Sequence, residues 1–163
     1  ASCTSTIQGT EMVSAAELMH VYIDGASSGN PGPAGIGVVV LDAHGTVVAT
    51  LSKYLGETTN NVAEYLALLY ALQDAHARGF RRLAVRTDSE LLAKQLAGEY
   101  KVRDGTLRLF YDLARHLMGA FEHCTVAHIS RTQNTQADRL AGEAVESRFD
   151  TAVKIVSGVR TAL

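Results

Sequence analysis

This 163-residue chain has only two cysteines, Cys3 and Cys124, 121 positions apart. Such spacing offers neither a zinc-ligand pattern nor a disulfide framework. A reduced, cytoplasmic setting is therefore the expectation, with one long-range Cys3–Cys124 bridge as the alternative. Long apolar runs are missing too. Crossing a bilayer takes about 20 apolar residues, and the longest candidate here, Ile36 to Leu41, has only the length of a strand. Nor is there an excess of positive charge: the formal net charge is −2 and the isoelectric point is near 6.3. That excludes binding by bulk positive charge, as in a histone-like protein or a polybasic membrane binder. It leaves nucleic acid open as a substrate, because local charge can differ from net charge. The first 19 residues have neither the basic start nor the apolar segment of a signal peptide. The chain begins at Ala1, not Met, as expected of a trimmed or partial chain.

What is present suits one globular domain. Hydrophobic residues make up 47% and charged residues 20% of the chain, enough apolar material for a buried core at this length. Residues 1–18 are rich in Ser, Thr and Ala and read as a loose tail, with some helical potential near Ser14 to Met19. Val21-Tyr22-Ile23 reads as a strand ending at Asp24, followed by a Gly/Ser/Asn/Pro turn through Gly35. Ile36 to Leu41 and Val47 to Lys53 read as a hairpin around Asp42-Ala43-His44-Gly45. From Asn61 the apolar spacing becomes helical up to Arg78-Gly79. Leu83 to Arg86 is a fourth strand, and Cys124 to Ile129 a fifth. Helices are expected around Leu91 to Leu96, Leu107 to Leu117 and Ala137 to Val145, and Val153 to Val156 reads as a terminal strand or arm. A meander followed by alternating elements predicts an α/β fold: a mixed five-stranded sheet, three antiparallel strands then two parallel, flanked by helices. The domain is expected over 19–147, with a C-terminal extension over 148–163.

Four acids fall at the ends of these elements: Asp24, Glu64, Asp88 and Asp138. Taken singly, each has a structural explanation. Asp24-Gly25 suits a turn, and Asn61 to Glu64, Thr87 to Glu90 and Thr135 to Asp138 each have the form of a helix cap. Taken together they suggest more. If the first and fourth strands are neighbours, Asp24 and Asp88 emerge at the same edge of the sheet. Asn61 and Glu64, three apart, share the start of a helix face. Clustered carboxylates repel and raise each other's pKa, and a divalent cation removes that penalty. Oxygen-only ligands suit Mg²⁺ or Mn²⁺. Two such ions about 3.5–4 Å apart activate a water and stabilise a leaving oxygen in phosphoryl displacement.

Here the chain resembles the type 1 ribonucleases H. The likeness covers about residues 20–146. It rests on Tyr22-Ile23-Asp24-Gly25-Ala26, Gly29-Asn30-Pro31-Gly32-Pro33-Ala34-Gly35, Thr59-Asn60-Asn61-Val62-Ala63-Glu64, Thr87-Asp88-Ser89, and Asn134-Thr135-Gln136-Ala137-Asp138-Arg139-Leu140-Ala141, in family order. The resemblance implies the ribonuclease H-like fold and a two-metal mechanism. It further implies cleavage of the RNA strand of RNA/DNA hybrids, with 5′-phosphate and 3′-hydroxyl ends. The four metal-binding acids then fall on Asp24, Glu64, Asp88 and Asp138. The turn with Gly25 and Ser27 is expected to offer backbone contacts to substrate, and Asn30 and Asn61 side chains to the minor groove of the hybrid. Glu90 stands where relatives often have Gln.

Two departures from the best-known members stand out. The basic, Trp-bearing protrusion is replaced by the short Gly98-Glu99-Tyr100-Lys101-Val102-Arg103-Asp104-Gly105, and the chain has no Trp. Fewer phosphate contacts imply weaker, less salt-sensitive binding, as in the protrusion-less branch of the family. The loop before Asp138 is also short. Where relatives carry a mobile catalytic His, Arg131 is expected to hold a phosphate, and His128 reads as a strand residue. The leading expectation is a monomeric metal-dependent endoribonuclease on hybrids. The alternatives are a broader nuclease that also cuts double-stranded RNA, or a nuclease domain cut from a larger protein.

Overall fold

The computed structural model describes residues 16–148. Most of both expected tails, including Cys3 and Val153 to Val156, lies outside the described residues. The elements run β1 (Leu18–Ser27), β2 (Gly32–Leu41), β3 (Val47–Thr58), α1 (Asn60–Ala77), β4 (Arg82–Thr87), α2 (Glu90–Leu96), α3 (Gly105–Met118), β5 (His123–His128), a 3₁₀ turn (Arg131–Gln133) and α4 (Thr135–Glu146). The sheet order is β3-β2-β1-β4-β5. β1 pairs antiparallel with β2, and β2 with β3; β4 pairs parallel with β1, and β5 with β4. This is the expected mixed sheet, with β1 and β4 adjacent at its centre.

Apolar alternation decides the two faces. Met19, Val21 and Ile23 of β1 and Leu83 and Val85 of β4 are fully buried against Leu68 and Leu72 of α1. Burying each such side chain contributes about 1.5–3 kcal/mol. α4 lies on the other face. There β2 presents Gly35 and Gly37 beneath Ala137, Ala141 and Ala144, all buried. A Cβ on Gly37 would stand 2.1 Å from the Ala137 carbonyl oxygen, and one on Gly35 2.8 Å from the Ala144 Cβ. The helix that carries Asp138 rests directly on strand backbone.

That packing explains one difference from the sequence reading. The stretch up to Gly35, read as a turn, is strand from Gly32 onward. Glycine there makes room for α4 and is not turn chemistry. β1 is longer than expected at both ends. It starts at Leu18, and the Glu17 carboxylate accepts the Ala43 N–H at 2.9 Å. It does not end at Asp24 but continues through Ser27, paired with Ala34 of β2. The parallel partnership with β4 stops earlier, at Ile23–Thr87. The next residue on each strand is therefore an acid at the point where the two strands part.

Candidate active site

Asp24 and Asp88 each follow the last β1–β4 pair, so their carboxylates leave the sheet side by side. Glu64 comes from the second turn of α1, whose start is packed onto β1 at Gly25. A Cβ on Gly25 would lie 2.3 Å from the Ala63 carbonyl carbon and 2.4 Å from the Glu64 nitrogen. Only glycine allows that approach. The Gly25 N–H donates to Glu64 Oε1 at 2.7 Å, and the Thr87 hydroxyl donates weakly to Oε2 at 3.5 Å. Glu64 is thus not a capping group. α1 is capped by Thr59, whose hydroxyl accepts the Val62 N–H at 3.3 Å. Asp88 does not cap α2 either; Ser89 does, accepting the Leu92 N–H at 3.2 Å.

Oxygens of Asp24, Glu64 and Asp88 all lie within 4.8 Å of one another. Asp24 and Glu64 are each only 4% exposed. Asp138, in the first turn of α4, brings its carboxyl into hydrogen-bonding reach of Asp24. Burial, then the charges of Glu64 and Asp88, push the Asp24 carboxyl far above the usual carboxylate range. Burial also raises Glu64; the Gly25 N–H opposes this by stabilising its anion, and Asp88 adds to the rise. Three converging carboxylates, of which Asp24 and Glu64 resist ionisation, form a donor set of hard oxygens that fits a divalent cation such as Mg²⁺ or Mn²⁺.

The acids floor an open cleft of about 320 Å³, which Gly25, Ala26, Ser27, Asn60, Ser89 and Arg131 also line. Arg131 is exposed, in the 3₁₀ turn before α4. Three expected contacts are not brought into the cleft. Asn30 is exposed, and its Oδ1 accepts the Asn60 N–H at 3.0 Å. Asn61 is exposed outside it, and Asn60 lines it instead. Glu90 points into solvent and pairs with Lys94 at 3.1 Å. His128 is the exposed last residue of β5 and does not line the cleft.

Asn60 and Ser89 were missed because α1 starts one residue earlier than the apolar spacing suggests, and because a helix cap hides its second role. The adjacent Asn60-Asn61 pair was the available signal. Asn134 also escaped the sequence reading. It stands at the N-cap of α4 without a side-chain capping bond, lies buried, and donates from Nδ2 to the Ile23 carbonyl at 2.8 Å.

Residues 22–144 match a family model described as reverse transcriptase-like. The chain is 43% identical over 128 residues to ribonuclease HI of Halobacterium salinarum, covering 78% of this chain and 64% of that protein. The crystal structure of RNase H1 from that archaeon superposes with a TM-score of 0.78 at 42% identity, covering 80% of this chain and 98% of that one. Bifunctional protein Rv2228c of Mycobacterium tuberculosis is 42% identical over 133 residues, covering 81% of this chain and 36% of that protein. LC11-RNase H1, solved in complex with an RNA/DNA hybrid, superposes with a TM-score of 0.76 at 42% identity, covering 80% of this chain and 99% of that one. The chain therefore spans 64% and 36% of the two curated relatives' lengths. No helix among the described residues is long and apolar enough to cross a membrane.

Proposed function

Because the chain belongs to the type 1 ribonuclease H family, we propose that it is a metal-dependent endoribonuclease that hydrolyses the RNA strand of RNA/DNA hybrids. The products carry 5′-phosphate and 3′-hydroxyl ends. The observation that carries this reading is the convergence of Asp24, Glu64 and Asp88 within 4.8 Å at the floor of an open cleft. A tight carboxylate cluster in a broad polar cleft suits an extended phosphodiester far better than a small apolar ligand.

Asp24, Glu64, Asp88 and Asp138 would hold Mg²⁺ or Mn²⁺. Two such ions, when bound, polarise the phosphoryl oxygens and lower the pKa of the attacking water. The chain's own residues do the rest. The Gly25 N–H holds Glu64 in place and favours its anion. Arg131 stays charged at any working pH; from its place on the cleft wall it holds a phosphate and offsets charge that builds up on it in the transition state. The backbone of Gly25 and Ser27 offers contacts to the RNA strand. Asn30 contributes by bracing Asn60, which then faces the hybrid's minor groove beside Asn61. Glu90 at the start of α2 borders the substrate's path. Hydroxyl-sensing Asn side chains select RNA without fixing sequence.

A labelled hybrid, double-stranded RNA and double-stranded DNA, each offered with Mg²⁺, Mn²⁺ or EDTA, test this. The reading expects cleavage of the hybrid's RNA strand alone, with nothing cut in EDTA. Equal cutting of double-stranded RNA would support the broader nuclease, which the short stretch between α2 and α3 favours. Metal-independent cutting would contradict the proposal.

A further inference from the structure

Asn134 stands where the 3₁₀ turn ends and α4 begins, and it is 1% exposed. Asn is favoured at this position because its side chain accepts an N–H of the first helical turn. Here it makes no such bond. Its Nδ2 donates instead to the carbonyl of Ile23, 111 positions away, at 2.8 Å. Ile23 is the last β1 residue paired with β4, and the next residue is Asp24. Meanwhile the Asn134 main chain holds both of its own neighbours. Its N–H donates to the Arg131 carbonyl at 3.1 Å, and its carbonyl accepts the Asp138 N–H at 3.1 Å. Oδ1 has no hydrogen-bond partner among the described residues, so the contact with Ile23 alone orients the amide.

We infer that Asn134 is a positioning residue that acts through Asp138, its amide setting the separation between Asp24 on β1 and Asp138 on α4. The inference rests on the reading of these acids as a divalent-cation site. The packing of α4 explains why such a tie is needed. The helix rests on Gly35 and Gly37 through alanines. Contacts between small apolar groups set how close α4 lies, but they resist sliding and rotation weakly. A buried, directional hydrogen bond at the helix start resists both, one turn away from Asp138. Ser52 makes a comparable tie further along, donating to the Leu140 carbonyl at 2.7 Å. The Asn134 tie is the one beside the acids.

The test uses Asn134→Leu, close in volume but without the amide, and Asn134→Ala, which only removes atoms. Folding of each is checked by melting in EDTA. The first readout needs no substrate: the Mg²⁺ dissociation constant, fitted to the dependence of melting temperature on Mg²⁺ concentration. It should increase about tenfold or more, the usual effect of losing a group that orients a metal ligand. With saturating hybrid, kcat should fall by a similar factor while KM changes little. In an Asp138→Asn background the same substitutions should shift either readout by no more than about threefold, since coupled residues are not additive. A Mg²⁺ dissociation constant equal to the parent's in folded variants would overturn the inference and leave Asn134 a packing residue. So would an undiminished effect in the Asp138→Asn background. A parent that binds Mg²⁺ but cuts no hybrid would refute the nuclease reading instead, and the Mg²⁺ titration would still decide the role of Asn134.

Discussion

Asp24 combines two opposed demands. Its carboxyl is buried beside two other acids, so ionising it in the bare protein is unfavourable, yet only its anion makes a good ligand for a hard cation. The sign of the pH effect follows. The folded protein retains a proton that the unfolded chain gives up near the ordinary carboxylate value of about 4. The stabilisation is complete below that value and is lost as pH rises toward the elevated folded value. Without metal, melting temperature should fall from about pH 6 to about pH 8 more steeply in the parent than in Asp24→Asn. Identical slopes in EDTA would contradict this. Mg²⁺ should restore more stability at the higher pH. Gly25 sets the same site sterically. Gly25→Ala has backbone, not a movable side chain, in its way, so it should lose about 1–3 kcal/mol together with the N–H contact to Glu64. Arg131→Ala should lower single-turnover cleavage about ten- to a thousand-fold, on the scale of removing a transition-state donor, while His128→Ala should cost much less. The reverse order would return the catalytic role to His128. At this scale the sequence exposed the acids as residue types but not their local partners. Glu64 looked like a cap because an i, i+3 pattern says nothing of Gly25, 39 positions away.

Between elements, the informative contact is α4 on β2. Gly37→Ala should push the helix off the strand and lower the melting temperature, by about 2–4 °C for each kcal/mol lost. Gly142, inside α4, has open space around its missing Cβ. Gly142→Ala should stabilise by about 0.5–1 kcal/mol, because a helical glycine gives up more backbone freedom on folding than alanine. Thermal melts of the two variants should move in opposite directions; a matching fall in both would show that α4 does not sit as described. Helix periods and β-branched runs made most elements readable. The strand portion from Gly32 to Gly35 was not, because glycines placed for a neighbouring helix look the same in sequence as glycines placed for a turn. The start of α1, one residue early, hid Asn60 for a comparable reason: Thr59 and Asn61 are both good caps.

Across the whole molecule, the topology makes the site. A crossover ending in α1 returns the chain as β4 parallel to β1, so residues 64 positions apart, such as Ile23 and Thr87, end side by side. Each strand carries its acid one position past the last pair. This much was legible, because a three-strand meander followed by alternating helices and strands leaves few arrangements for the sheet. The cleft wall was not, since Asn60 and Ser89 take their positions only once α1 and α2 have docked. The central claim is that the Asp24–Asp88 pair at that strand junction does the chemistry. The most direct test is single-turnover cleavage of a labelled RNA/DNA hybrid under saturating Mg²⁺ by the parent, Asp24→Asn and Asp88→Asn, each shown to be folded by circular dichroism. The account predicts metal-dependent cutting by the parent and at least about a hundredfold loss in each variant, as for removal of an essential electrostatic group. Cleavage above about a tenth of the parent rate in either variant, a loss too small for such a group, would contradict it.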